Sequence, residues 1–164
     1  MSLSRRTLAI LFAIEVTIAI TAYVIIAGLL LADVIMRETG GGSIWGAQRI
    51  SVYLMIVIGF LGLGLAAAKG RHLRPQFLDG VFPERLSDAA DRVGAALMVL
   101  IFGGFGVVAI QFVAEAIEYS ELARIIRIPM WYIQLVVPYA FFSTALRYLI
   151  FAIDPSSRPE EVLE

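Results

Sequence analysis

Glu15 stands in a run of 26 residues between Arg6 and Asp33 whose only other ionisable side chain is Tyr23. A carboxylate in so apolar a run could couple a proton or a cation to transport, because burying its charge at a bilayer centre costs roughly 2.5–3.5 kcal/mol and is rarely retained without use. A plainer placement also exists. Residues 16 to 32 alone nearly span, which would leave Glu15 at the inner headgroups or at a subunit contact. Glu115, Glu118 and Glu121 recur at three-residue spacing and could dock a partner or attract a cation. Arg124 and Arg127 follow closely and could neutralise them as a solvated helix end. His72 sits beside Lys69, Arg71 and Arg74 with no second ligand at metal spacing, so a solvated loop histidine is expected.

With no cysteine and one histidine, the chain offers no disulfide, no thiolate metal site and no haem held by two of its own histidines. No convergent acid–base pair, phosphate-binding loop or dinucleotide fingerprint is present. The expectation is a protein that is not an enzyme and holds no cofactor or metal. A net charge of −1 lacks the basic footprint of a nucleic-acid binder.

The elements that must position these residues follow from hydropathy. Four apolar stretches are walled off by charges: 26 residues after Arg6, 19 between Arg49 and Lys69, 22 between Arg92 and Glu115, and 19 between Arg127 and Arg147. About 20 apolar residues at about 1.5 Å per residue cross a hydrocarbon core of about 30 Å. A hydrophobic content of 60% and a mean hydropathy of +0.86 agree. The fold class expected is all-α: an integral membrane bundle of four transmembrane helices in one domain, residues 1–154. The spans fall at about 7–36, 46–68, 84–119 and 129–153, and a polar tail fills 155–164. The first stretch exceeds a signal-peptide core and lacks a cleavage site before Asp33, so it reads as a retained helix. Counting Lys and Arg puts nine inside and four outside when both termini and the second loop are cytoplasmic. Trp45 and Trp131 then flank helix ends on the outer side.

Local signals refine the picture. The run Thr39-Gly40-Gly41-Gly42-Ser43 reads as a flexible outer hinge. Gly59, Gly62 and Ala66 share a face of the second helix where backbones could approach closely, with Gly64 off that stripe. Gly103, Gly104 and Gly106 would serve the third helix likewise. The inner loop carries Phe77, Leu78, Val81, Phe82 and Leu86 among charges, the pattern of a segment lying on the membrane surface in contact with lipid. Pro83 suits the first turn of the third helix. Pro138 removes the bond to the Gln134 carbonyl and should kink the fourth span. Gln134, Ser143 and Thr144 can hydrogen-bond across helices.

Three motif groups carry a family resemblance. They are Val34-Ile35-Met36-Arg37 followed by Trp45; Phe60-Leu61-Gly62 leading to Lys69-Gly70-Arg71-His72-Leu73; and Ile128-Pro129-Met130-Trp131 with Gln134-Leu135, Pro138 and Ala145-Leu146-Arg147. In order and spacing the chain resembles the small membrane subunit of tripartite ATP-independent periplasmic (TRAP) transporters. It departs from the family's pattern at Gln48-Arg49, where paired glutamates often follow the tryptophan. The resemblance implies a multi-pass protein of the bacterial inner membrane. It would brace a large elevator-type permease subunit that carries the sodium and substrate sites, and help dock a periplasmic solute-binding protein. Organic acids are the cargo this implies. Glu15, Trp45, Gly59, Gly62, Glu115, Glu118, Trp131 and Gln134 are the candidate partner-interface residues. The competing reading is a self-associating four-helix channel or carrier that uses Glu15 as its ion or proton site.

Overall fold

The structure is a computed structural model that describes residues 3–68, 84–123 and 127–154. Its helices are α1 (Leu3–Glu38), α2 (Ala47–Ala68), α3 (Glu84–Glu118), α4 (Trp131–Gln134) and α5 (Val136–Ile153). Four segments are long and apolar enough to cross a membrane: Arg5–Glu38, Ala47–Ala68, Val93–Glu118 and the α4–α5 unit Trp131–Ile153. The described residues form no strand beyond an isolated bridge between Leu122 and Pro129. The all-α, four-span class expected from hydropathy is therefore the fold observed. His72, Arg124 and the inner-loop residues Phe77, Leu78, Val81 and Phe82 lie outside the described residues, and Leu86 falls in the first turn of α3.

α1 packs along α2, α2 on α5 and α5 on α3, so the helices follow one another in the row α1–α2–α5–α3. α1 meets α5 only over a short stretch. The buried residues of α1 are Glu15, Ala22, Ile26 and Asp33, with Ala19 and Leu29 half-buried between them. That alternation of four and three residues is the narrow seam of a helix covered on one side only. Phe102, Gly106, Ala109, Val113 and Ala116 give α3 a similar seam. Small residues recur in both, Ala19 and Ala22 on α1 and Gly106, Ala109 and Ala116 on α3, because lipid tails supply no hydrophobic drive and close backbone approach maximises dispersion contact. At the α3–α5 contact, Phe141 packs against Phe60, Phe102 and Phe105, and Tyr148 stacks on Phe102 with ring centroids 5.9 Å apart.

The fourth span breaks as its proline requires. α4 ends at Gln134 and α5 starts at Val136, because Pro138 has no N–H to give the Gln134 carbonyl. The Leu135 N–H still bonds the Trp131 carbonyl at 3.0 Å, and the Tyr139 N–H bonds the Leu135 carbonyl at 3.3 Å. The interruption is therefore a local break in one transmembrane unit.

One correction concerns the α1–α2 loop, and the glycines divide by what they face. The Thr39–Ser43 segment is not a plain hinge. Gly40 and Gly42 take φ of +78°, a conformation that costs an L side chain about 1–2 kcal/mol, and the loop they shape is clipped onto α1. On α2 the side buried within this chain carries Leu61, Gly64 and Ala67. Gly59 and Gly62 have open space where a Cβ would stand, as do Gly103 and Gly104 on α3. Among the described helical glycines, Gly64 and Gly106 are the ones in tight contact. A Cβ at Gly106 would meet the Phe142 ring at 2.9 Å. Three-residue spacing identified a face that exists, but not the direction of the neighbouring helix.

Candidate functional site: a buried ion pair and a loop clip

α1 is fixed at two points by its two buried carboxylates. Toward the N-terminal end, Arg147 Nη2 donates to Glu15 Oε2 at 2.5 Å, and the Ser143 hydroxyl donates to Glu15 Oε1 at 2.5 Å. Glu15 is 1% exposed and Arg147 0%. Ser143 and Arg147 lie one turn apart on α5 and so present donors along one face. Between α1 and α5 stands α2, and the carboxylate crosses it at Gly64. A Cβ added there would lie 2.8 Å from Glu15 Oε2 and 3.1 Å from Oε1. The glycine is a notch through which the acid reaches its partner.

The second point is Asp33, which is 1% exposed. Its Oδ1 accepts from the Ser43 hydroxyl at 2.8 Å and from the Ile44 N–H at 2.6 Å, while Arg37 Nε lies 3.4 Å from Oδ2. Glu15 and Asp33 are eighteen positions apart, about 27 Å along a helix and close to one hydrocarbon thickness. The inner depth proposed for Glu15 is compatible with this spacing. Its side chain, however, is enclosed within the chain.

The remaining candidates separate by depth. Trp45 is 75% exposed, just beyond the Asp33 clip. Glu115 and Glu118 are exposed at the C-terminal end of α3, and no ion pair engages either carboxylate among the described residues. Beside that end the chain turns back through a tight hairpin. Ala123 N–H bonds the Ile128 carbonyl at 2.9 Å, Met130 N–H bonds the Glu121 carbonyl at 2.8 Å, and Ser120 and Arg127 take positive φ. Trp131 opens α4 half-buried and stacked on Tyr132. Gln134 is buried, and its Oε1 has no hydrogen-bond partner among the described residues; Arg147 Nε is the other such atom. Gly59 is exposed and Gly62 half-buried on α2. The α3–α4 hairpin thus gathers Glu115, Glu118 and Trp131 at one end of the bundle. Glu15 stands apart, tied to Arg147. Ser143 makes the interhelical bond expected of it, whereas the Thr144 hydroxyl bonds its own helix at the Ala140 carbonyl.

Arg147 and Asp33 went unrecognised in the sequence because each looked like a boundary charge. One signal could have found Arg147: α5 continues through Ile153, so the arginine lies inside the last helix. A cation within one span and an acid within another at similar depth invite a pairing test.

With this geometry in view, comparison with known proteins is specific. The family model for tripartite ATP-independent periplasmic transporters, DctQ component, matches residues 26–157. The chain belongs to this family. It is also similar to the ectoine TRAP transporter small permease protein TeaB of Halomonas elongata, with 27% identity over 123 residues. That match covers 75% of this chain and 64% of TeaB, so the chain spans a little under two thirds of that relative's length. The chain is accordingly a small permease component of a TRAP transporter and a multi-pass protein of the inner membrane. The DctQ match starts at Ile26, so it includes Gly64, Ser143 and Arg147 but not Glu15.

Proposed function

We propose that this DctQ-family chain is an accessory scaffold. It braces a large elevator-type permease subunit and helps dock a periplasmic solute-binding protein during sodium-coupled uptake of an organic acid-type solute. Both termini lie in the cytoplasm in this arrangement. Arg147 is buried and drops out of the sidedness count, which leaves eight basic residues inside against four outside. TeaB is named as part of an ectoine transporter, in keeping with uptake of a small organic solute.

The observation that carries this reading is the state of Glu15. Both of its oxygens are taken by Arg147 and Ser143 inside the chain. A coupling site must exchange its proton or cation during the cycle, and an acid locked to a buried guanidinium is poorly placed to do so. The self-associating channel or carrier loses its chosen residue. Meanwhile α1 and α3 leave most of their apolar circumference uncovered, including Tyr23, Leu31, Leu100 and Val108, as suits helices that meet lipid and another membrane subunit.

Docking is assigned to the outer α3–α4 hairpin, where the exposed carboxylates stand. Reversing both charges with Glu115→Lys and Glu118→Lys should weaken capture of the binding protein while the membrane pair stays assembled. Unchanged docking and uptake in the double reversal would remove that assignment.

A further inference from the structure

α1 and α2 form one closely packed pair, and α3 and α5 another; α2 against α5 joins them. In lipid such a join has no hydrophobic preference for one register over its neighbours. The Glu15–Arg147 pair adds what apolar packing lacks: two opposite charges that are satisfied at one register and left buried and unpaired at others. The residues lie 132 positions apart in the chain, at its two ends. Gly64 makes the position specific, because only a missing side chain lets the acid pass α2.

We propose that Glu15, Arg147 and Gly64 form a latch that sets the register of the α1–α2 pair on the α3–α5 pair, and that the large permease subunit requires this register. They are positioning residues. The second clause rests on the scaffold reading; the first does not. Sliding α1 by one turn moves Glu15 about 5.4 Å, beyond reach of the guanidinium. A partner that contacts both pairs would then face a mismatched surface.

The absence of native cysteine permits a direct test in the full chain. Spin labels at Val24→Cys on α1 and Leu149→Cys on α5, both exposed, report the register as a distance distribution. Glu15→Gln or Arg147→Met alone should lower the folding constant in detergent by about two hundredfold or more, since each strands a buried polar partner. Glu15→Ala with Arg147→Met removes both charges and should return it to within about tenfold of the parent. In that double variant the latch predicts a broadened or shifted distance and reduced co-purification with the large subunit, despite recovered stability. Gly64→Ala should be harmful in the parent and harmless or helpful in the double variant, where no carboxylate occupies the notch.

An unchanged distance and full co-purification in the double variant would reduce the pair to bulk stability and overturn the latch. So would a Gly64→Ala penalty equal in both backgrounds. If the parent itself fails to co-purify, the scaffold reading falls, while the distances and the Gly64 coupling still decide the register clause.

Discussion

The two buried carboxylates of α1 use the same chemistry at opposite ends of the helix but constrain different things. Asp33 bonds residues ten and eleven positions ahead, so it shapes a loop that its own sequence has already placed nearby. Glu15 bonds a residue 132 positions ahead, so it ties together helices that chain proximity would not. The Asp33 clip is half local backbone and beside an exposed loop; the Glu15–Arg147 pair is closed on every side. Loss of the first should release a loop, and loss of the second should disturb the bundle. Distance along the chain, more than bond strength, decides which carboxylate matters to the whole fold.

This contrast can be broken in order of effect. Arg147→Met, which leaves Glu15 buried without its cation, should destabilise the chain by about 3–5 kcal/mol, read from unfolding in detergent. A loss near zero would mean the pair contributes nothing net. Asp33→Ala removes two hydrogen bonds to a charged acceptor, each worth about 1.5–3 kcal/mol. The loss should appear locally, as faster amide exchange at Ile44 with the global unfolding transition little moved. A drop in global stability as large as that of Arg147→Met would erase the distinction between clip and pair. Gly106→Ala forces a Cβ against the Phe142 ring and should cost about 1–3 kcal/mol, at the lower end because Phe142 is partly exposed and can swing. Gly59→Ala points into open space and should stay within about 0.5 kcal/mol in the isolated chain. Weakened co-purification from that same change would identify the Gly59 face as a partner contact.

The sequence made the spans legible because apolar length is a nearly direct readout of bilayer thickness. It also marked Glu15, since an acid in such surroundings is conspicuous. Its partner stayed hidden for a physical reason: charge toward a span's end is normally solvated, so Arg147 was counted among the inside charges although the expected span 129–153, like α5, runs on past it. The small-residue face was legible only in part. Gly59, Gly62 and Ala66 do line up, but spacing cannot say where the next helix lies, and Gly64 proved to be the contact. The glycine-rich outer loop read as a hinge because glycine alone implies freedom. Asp33 converts that freedom into a fixed turn, an effect that depends on a through-space bond. The break in the fourth span was fully readable, since proline acts through covalent structure.

Solute flux into sealed proteoliposomes holding this chain alone tests the scaffold account most directly, with the same vesicles containing the large permease subunit as the comparison. The account predicts flux no greater than empty-vesicle leak for the chain alone, under a sodium or proton gradient, and uptake only when the second subunit and the binding protein are supplied. Gradient-driven movement of solute or cation through the chain alone, abolished by Glu15→Gln, would contradict it.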